Sequence, residues 1–481
     1  MKRHSLFKVM GIMLLLLVVL SYIIPGRTGE VTHLPFGDIV TYYIQTYYYF
    51  FDTLVFILVV GAFYGVLNKT DAYKKLLDKI TKKVKPLGDK FIYIVIILFA
   101  LITSLTGMTS PLLVFVPLVI SIILLLGYDK LVALSSTIVA MLVGFIGGIF
   151  VTLRDPGNYY SYSATTMEKL VGAEKFANII PKAILLVLGT ALLILFVRTY
   201  LKEQKSKKVK SELTNTDLLR SEEKITNKDA KVWPLVTILS VTLVLLILGL
   251  LPWTDLFGVE VFSNFHTWLT TKLVIKDFNV FTNIISTVFA QSTFTGLGNW
   301  ASLGNYLVEI VLILIVTLVV KLTCKVKFDD AFDGFVEGTK KLLPTAMLIM
   351  IAYCILICSY NNGFIETIIT KASSNGDINF VVSSLITLLG SLFNADIYYA
   401  AAGVFTPIYN VVADESMLNV FAMSFQSLYG LISIIGPTSI VLIFGLTYLD
   451  VPYTTWIKYI WRFILSLFII IFAVLLILAL I

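Results

Sequence analysis

Asn68-Lys-Thr-Asp-Ala-Tyr-Lys-Lys-Leu-Leu-Asp-Lys-Ile-Thr-Lys-Lys-Val-Lys-Pro-Leu-Gly-Asp-Lys90 is the segment on which the fold turns. It carries eight lysines against three acids and separates two apolar blocks, 48–67 and 91–126. Lysine-rich loops stay on the cytoplasmic side of a membrane, so this reading places the segment, and with it the N-terminus, inside. Block 91–126 must then leave the membrane on the side it entered, which makes it a re-entrant hairpin with its tip at Thr106-Gly-Met-Thr-Ser110.

Composition agrees that the surroundings are lipid. Hydrophobic residues make up 58% of 481 positions and charged residues 14%, where a soluble domain runs near one quarter charged. Mean hydropathy is +0.91. The net charge of +7 collects in particular loops, a pattern of membrane orientation and not of a nucleic-acid groove. The apolar stretch 6–24 follows a basic start, is long for a secretory signal and lacks a small-residue cleavage site before Pro25, so it reads as an uncleaved first span. Further apolar blocks fall at 48–67, 91–106, 111–126, 131–150, 181–200, 233–251, 305–322, 342–359, 379–393, 418–448 and 457–480, many of them about the length that crosses a bilayer core. Segment 201–231 carries nine basic residues and reads as a cytoplasmic linker.

The pattern occurs twice. Phe36-Gly-Asp-Ile opens an amphipathic stretch before span 48–67, and Phe328-Asp-Asp-Ala opens one before span 342–359. Short amphipathic helices follow at 71–83 and 364–373, then hairpins 91–126 and 379–411, whose return arms read Phe115-Val-Pro117 and Phe405-Thr-Pro407. A polar turn, a span and a helix break close each copy. The linker helix is basic in the first copy and nearly uncharged in the second, so the copies face opposite sides. The fold expected is an all-α polytopic membrane protein of two inverted repeats, with re-entrant hairpins, discontinuous helices, and a scaffold beside a transport domain. Its units are 1–34 (first span and external loop), 35–200 (first repeat), 201–231 (linker), 232–326 (connecting span, external segment and scaffold span) and 327–481 (second repeat).

Non-helical backbone survives in hydrocarbon only where it lines a wet cavity, and a broken helix exposes amide groups that hold anions and carbonyls that hold cations. The tips and breaks are therefore the candidate solute site: Thr106, Gly107, Thr109 and Ser110 at tip one; Asn394, Asp396 and Tyr398 at tip two; Arg154, Asp155 and Asn158 at the first break; Gly436, Pro437, Thr438 and Ser439 at the second. Gln426, an amide inside span 418–448, completes the set. Asp396 reads as a counter-ion for a cationic solute or coupling ion, and Arg154 as a fork for a carboxylate. Asp52 and Glu309 read as interfacial acids, the tyrosines 42, 43 and 47–49 as an aromatic belt, and Cys354 and Cys358 as packing residues.

The segment Gly436-Pro-Thr-Ser-Ile-Val-Leu-Ile-Phe-Gly-Leu-Thr-Tyr-Leu-Asp-Val-Pro-Tyr-Thr-Thr-Trp-Ile-Lys458 resembles the C-terminal signature of YfcC-type carriers, grouped with C4-dicarboxylate anaerobic carriers and arginine/ornithine-type antiporters. Val60-Gly-Ala-Phe-Tyr-Gly-Val-Leu-Asn-Lys-Thr70, Phe335-Val-Glu-Gly-Thr-Lys-Lys-Leu-Leu-Pro344 and Asn361-Asn-Gly363 match as well. The resemblance implies a fixed scaffold and a moving transport domain, assembled as a homodimer. This chain departs from the family pattern at Met108-Thr109-Ser110, Arg154-Asp155-Pro156-Gly157 and Asn394-Ala-Asp-Ile-Tyr-Tyr399, and the resemblance leaves its solute open.

The function expected is secondary active transport by alternating access in the cytoplasmic membrane. The first reading of the cargo is amino acids, basic ones included, moved by exchange or with H⁺ or Na⁺. Small organic anions such as C4-dicarboxylates or short-chain fatty acids are the alternative. A membrane-embedded enzyme is a third reading, with no His/Cys/Glu constellation to support it. No cofactor, metal or nucleic-acid partner is expected; the partners are the solute, the coupling ion and the bilayer.

Overall fold

The computed structural model describes residues 4–24, 33–107, 109–149, 152–153, 165–166, 178–207, 229–251, 253–275, 278–279, 297–298, 300, 306–373, 379–409, 411 and 417–480. Its principal helices are α1 (His4–Ile23), α2 (Phe36–Asn68), α3 (Asp71–Val84), α4 (Asp89–Thr106), α5 (Val116–Leu125), α6 (Lys130–Ile146), α7 (Ile179–Lys207) and α8 (Trp233–Leu250). They continue with α9 (Leu307–Thr323), α10 (Phe328–Asn362), α11 (Phe364–Ala372), α12 (Phe380–Phe393), α13 (Ile397–Ile408), α14 (Leu418–Ser433), α15 (Ile440–Tyr448) and α16 (Tyr453–Leu480). Seven of the described helices are long and apolar enough to cross a membrane.

Local sequence sets the ends of these helices. Side chains of Thr70, Asp129, Asn379, Asp396 and Ser439 each accept a backbone N–H at a helix start and so satisfy a donor the helix cannot. In α3 the residues Ala72, Tyr73, Leu76 and Leu77 are buried, while the lysines of its last turn face outward, the expected amphipathic split. Gly363 adopts φ +68° to end α10, and Gly107 adopts φ +67° to end α4. Both are left-handed positions that favour glycine.

Helices α2 and α10 form the centre. Of their apolar windows 78% is buried, against 28% for α1 and α7 and 22% for α16, so the latter three lie at the periphery. The two central helices run antiparallel, because residue numbers rise along one as they fall along the other. Thr53 meets Tyr353, Gly61 meets Gly338 and Gly65 meets Gly334. A Cβ placed on Gly61 would lie 2.5 Å from the carbonyl oxygen of Gly338, so the backbones approach at a distance only glycine permits.

The packing recurs in pairs: α1 lies on α10 as α9 lies on α2, α4 on α6 as α12 on α14, and α6 on α7 as α14 on α16. Hairpin one closes at its base, where Tyr128 Oη donates to Asp89 Oδ1 at 2.9 Å and Lys205 Nζ lies 2.7 Å from Asp89 Oδ2. The chain therefore returns to the level at which it entered.

Several expectations are corrected. The amphipathic stretches before 48–67 and 342–359 are not separate elements. Each is continuous with its span, giving helices of 33 and 35 residues, the first kinked at Phe50. Span 418–448 divides, at the break expected at Gly436–Ser439, into α14 and α15, because Pro437 cannot donate into a continuing ladder. Among the described residues the strands form two two-residue ladders, Thr152–Leu153 with Thr165–Thr166 and Val274–Ile275 with Phe278–Asn279. Short helices at Trp253–Phe257 and Val261–Thr267 were not anticipated. Glu309 is fully buried in the first turn of α9. Asp52 accepts the N–H of Tyr306 at 2.9 Å, immediately before that helix.

Candidate functional site

Each hairpin tip is stitched to the helix break of its own half. At tip one, Ser104 Oγ donates to Gly147 O at 2.7 Å, and Ile149 N donates to Ser104 O at 2.9 Å. At tip two, Thr438 Oγ1 donates to Leu392 O at 2.9 Å. In both halves the hairpin's first arm ends against the point where a later helix stops, so broken backbone meets broken backbone inside the protein.

The carbonyl ends of the breaks have partners. Gln426 Nε2 donates to Phe145 O at 2.9 Å and to Gly148 O at 3.0 Å, so an α14 side chain serves the first half's break. At the second break, Trp456 Nε1 donates to Ile434 O at 3.0 Å and Tyr453 Oη to Ile435 O at 2.5 Å. The amide end that follows is α15, where Ser439 Oγ accepts from Leu442 N at 3.4 Å. The first-turn amides and the helix dipole there favour a negative group.

The remaining candidates fall as follows. Thr106 Oγ1 donates back to Ile102 O at 2.6 Å, Gly107 forms the left-handed cap, and Thr109 and Ser110 are half-buried before Pro111. Asn394 Nδ2 donates to Gly390 O at 2.7 Å and is buried. Asp396 Oδ1 accepts Tyr398 N at 2.8 Å, which engages it as the N-cap of α13. Tyr398 packs edge-on to Tyr399. Gly436 N donates to Ile432 O at 2.6 Å, ending α14 just ahead of Pro437. Arg154, Asp155 and Asn158 lie outside the described residues. The structure thus brings Thr438 to tip two and Gln426 to the first break.

Sequence reasoning missed a buried hydroxyl seam. Ser383, Ser384, Thr387 and Ser391 of α12 and Ser424 and Ser427 of α14 are buried, and Ser384 Oγ and Ser424 Oγ lie 3.3 Å apart. The hydroxyls of Thr103, Ser391 and Ser427 are buried without a protein partner. Thr103 and Ser391 each sit in the last turn of their hairpin's first arm. Unpartnered hydroxyls in an apolar interior carry a desolvation cost, and polar groups at membrane depth mark solute paths. The signal was present: those four α12 hydroxyls recur at helical spacing in an otherwise apolar block.

The sequence profile of the C4-dicarboxylate anaerobic carrier family matches residues 6–480. Over 157 residues the chain is 28% identical to an uncharacterized protein of Haemophilus influenzae; the stretch is 32% of this chain and 29% of that protein. Among solved structures, the YdaH transporter of Alcanivorax borkumensis aligns with a TM-score of 0.41 at 15% identity, covering 99% of this chain and 97% of that one. MtrF of Neisseria gonorrhoeae aligns with a TM-score of 0.39 at 13% identity, covering 98% and 94%.

Proposed function

Because this multi-pass membrane chain belongs to the C4-dicarboxylate anaerobic carrier family, we propose that it is a secondary carrier of small organic acids, C4-dicarboxylates foremost, working by alternating access. The observation that carries the reading is the double stitch, Ser104 to Gly147 in one half and Thr438 to Leu392 in the other. It gathers hairpin tips and helix breaks, the two kinds of irregular backbone a solute site in hydrocarbon is made from. The N-terminus of α15, with Thr438 and Ser439, is the natural seat for one carboxylate. The buried hydroxyls of Thr103, Ser391 and Ser427 supply further donors.

The halves act as inverted repeats, 35–200 and 327–481, with 201–231 as cytoplasmic linker, and 1–34 and 232–326 as flanking and connecting units. This is supported by the antiparallel course of α2 and α10 and by the paired packing of the other helices. The N-terminus is cytoplasmic, two copies assemble as a dimer, and H⁺ or Na⁺ couples transport. Amino acids remain a second reading because Asp396, at tip two, offers a carboxylate to an ammonium group.

Reconstituted protein should accumulate or exchange labelled succinate, fumarate or malate in proteoliposomes, and aspartate or arginine less well. Counterflow no greater than in empty liposomes for the whole panel would remove the carrier reading. Orientation is tested with Lys79→Cys and Ser373→Cys in a cysteine-free background. They should label from opposite faces, and labelling from one face would end the inverted-repeat reading.

A further inference from the structure

A cavity of about 220 Å³ opens between hairpin two and the end of α10, many times the roughly 10–15 Å³ that one water needs. Polar groups line one part of its wall, where Ser359, Tyr360, Glu366, Asn394 and Thr406 contribute hydroxyls, an amide and a carboxylate beside the apolar Ile365, Ala402 and Pro407. Those polar groups offer hydrogen bonds to a polar solute, which an apolar wall would not. Asn394 belongs to tip two, so the cavity reaches from the surface to the tip.

The first half carries larger apolar side chains at the matching place. Aligned on Phe115-Val-Pro117 and Phe405-Thr-Pro407, the small pair Ala402-Gly403 corresponds to Leu112-Leu113, and Thr406 to Val116. Leu112, Leu113 and Val116 are all buried, and Tyr64 Oη donates to Val114 O at 2.6 Å, fastening α2 to that return arm. Ala402 and Gly403 moreover lie in a π-helical turn, Ala401–Phe405, a local widening often found at functional positions. The cavity is thus written into the sequence of one half.

Resting on the carrier reading above, we infer that this cavity is the access chamber through which a small polar solute reaches tip two. We infer too that Gly403 and Tyr360 set the size it admits. A Cβ on Gly403 would lie 3.3 Å from the Tyr360 ring, so a larger side chain drives the ring into the passage. The chamber opens on the face opposite the lysine-rich segment 68–90.

The test uses the full chain with Cys324, Cys354 and Cys358 replaced by serine. Ser359→Cys should react with a membrane-impermeant methanethiosulfonate from the face opposite Lys79→Cys, while Leu113→Cys stays unreactive. Gly403→Leu should lower succinate uptake at least tenfold at equal membrane abundance, and adding Tyr360→Ala should restore much of it. Full-rate uptake by Gly403→Leu, or an unreactive Ser359→Cys in a transporting protein, overturns the chamber and leaves the carrier reading standing. A wild type inert toward every solute of the panel, with Ser359→Cys still labelled, overturns the carrier reading instead.

Discussion

Gln426 and Gly148 are joined across the two halves of the molecule: the side-chain amide donates at 3.0 Å to the carbonyl, and at 2.9 Å to that of Phe145 as well. One residue of α14 thereby satisfies two backbone acceptors at the end of α6. Gln426→Leu should remove both bonds, at about 1–3 kcal/mol for each carbonyl left dry. Gln426→Glu should be worse, because a carboxylate would face two carbonyl oxygens. Thermal unfolding in detergent and succinate uptake are the readouts. If both variants melt and transport as wild type does, the amide is not what holds the break.

The glycine crossing of α2 and α10 is a second test of the centre. Gly65→Leu or Gly338→Leu would force the backbones apart, where overpacking alone costs roughly 1–3 kcal/mol. Loss of the monodisperse peak in size-exclusion chromatography is expected. Gly37→Leu is the matched control, since nothing lies within 4 Å of its added Cβ. It should behave as wild type, and a collapse of that control would show that any leucine replacing a glycine in these helices is disruptive, close approach or not.

Much of this fold was legible in the chain. Lysine asymmetry located the hairpin at 91–126, and Tyr128 indeed closes on Asp89. The Pro437 break was visible because proline stops a ladder anywhere. What could not be read was which residue serves which break. Gln426 lies far in sequence from Phe145, and no local pattern announces a long-range bond between an amide and a carbonyl. Asp396 was legible as a polar residue at membrane depth, but its use as the cap of α13 depends on the backbone angle at the tip. The burial of Glu309 could not be read for a similar reason: the first turn of α9 is covered by helices α2 and α8, which pack against it from elsewhere in the chain.

Asp129 predicts a pH effect outside the spans. It caps α6 through Val132 N at 2.9 Å and accepts Tyr200 Oη at 2.6 Å. Burial nevertheless pushes its carboxyl above the ordinary carboxylate value, against the lowering effect of those bonds. A raised folded-state value means the protonated form is favoured in the fold. The contribution is full below the unfolded value of 3.8 and is lost as pH rises through the folded one. Asp129→Asn keeps an acceptor for the cap and loses one bond at every pH. Its melting temperature relative to wild type should therefore rise between about pH 4 and pH 7. A difference that stays flat over that range would show that the carboxyl titrates normally.

Asp396 separates the cargo classes. Asparagine caps a helix about as well as aspartate, whereas alanine costs roughly 1 kcal/mol, so Asp396→Asn should leave α13 in place and remove only the charge. An unpaired charge near the midplane costs on the order of 3 kcal/mol or more. For an organic anion the substitution removes a repulsion, and the apparent KM for succinate should hold or fall. A cationic amino acid would lose its counter-charge, and arginine exchange would weaken far more than succinate exchange. Were protonation of Asp396 the coupling step, exchange would survive while accumulation driven by a pH gradient disappeared. Exchange and accumulation measured side by side on Asp396→Asn and Asp396→Ala distinguish the three. With organic acids as the cargo, the expected result is succinate exchange undiminished in Asp396→Asn and reduced in Asp396→Ala, where the cap itself is lost. A KM for succinate that rises in Asp396→Asn as steeply as in Asp396→Ala would contradict it.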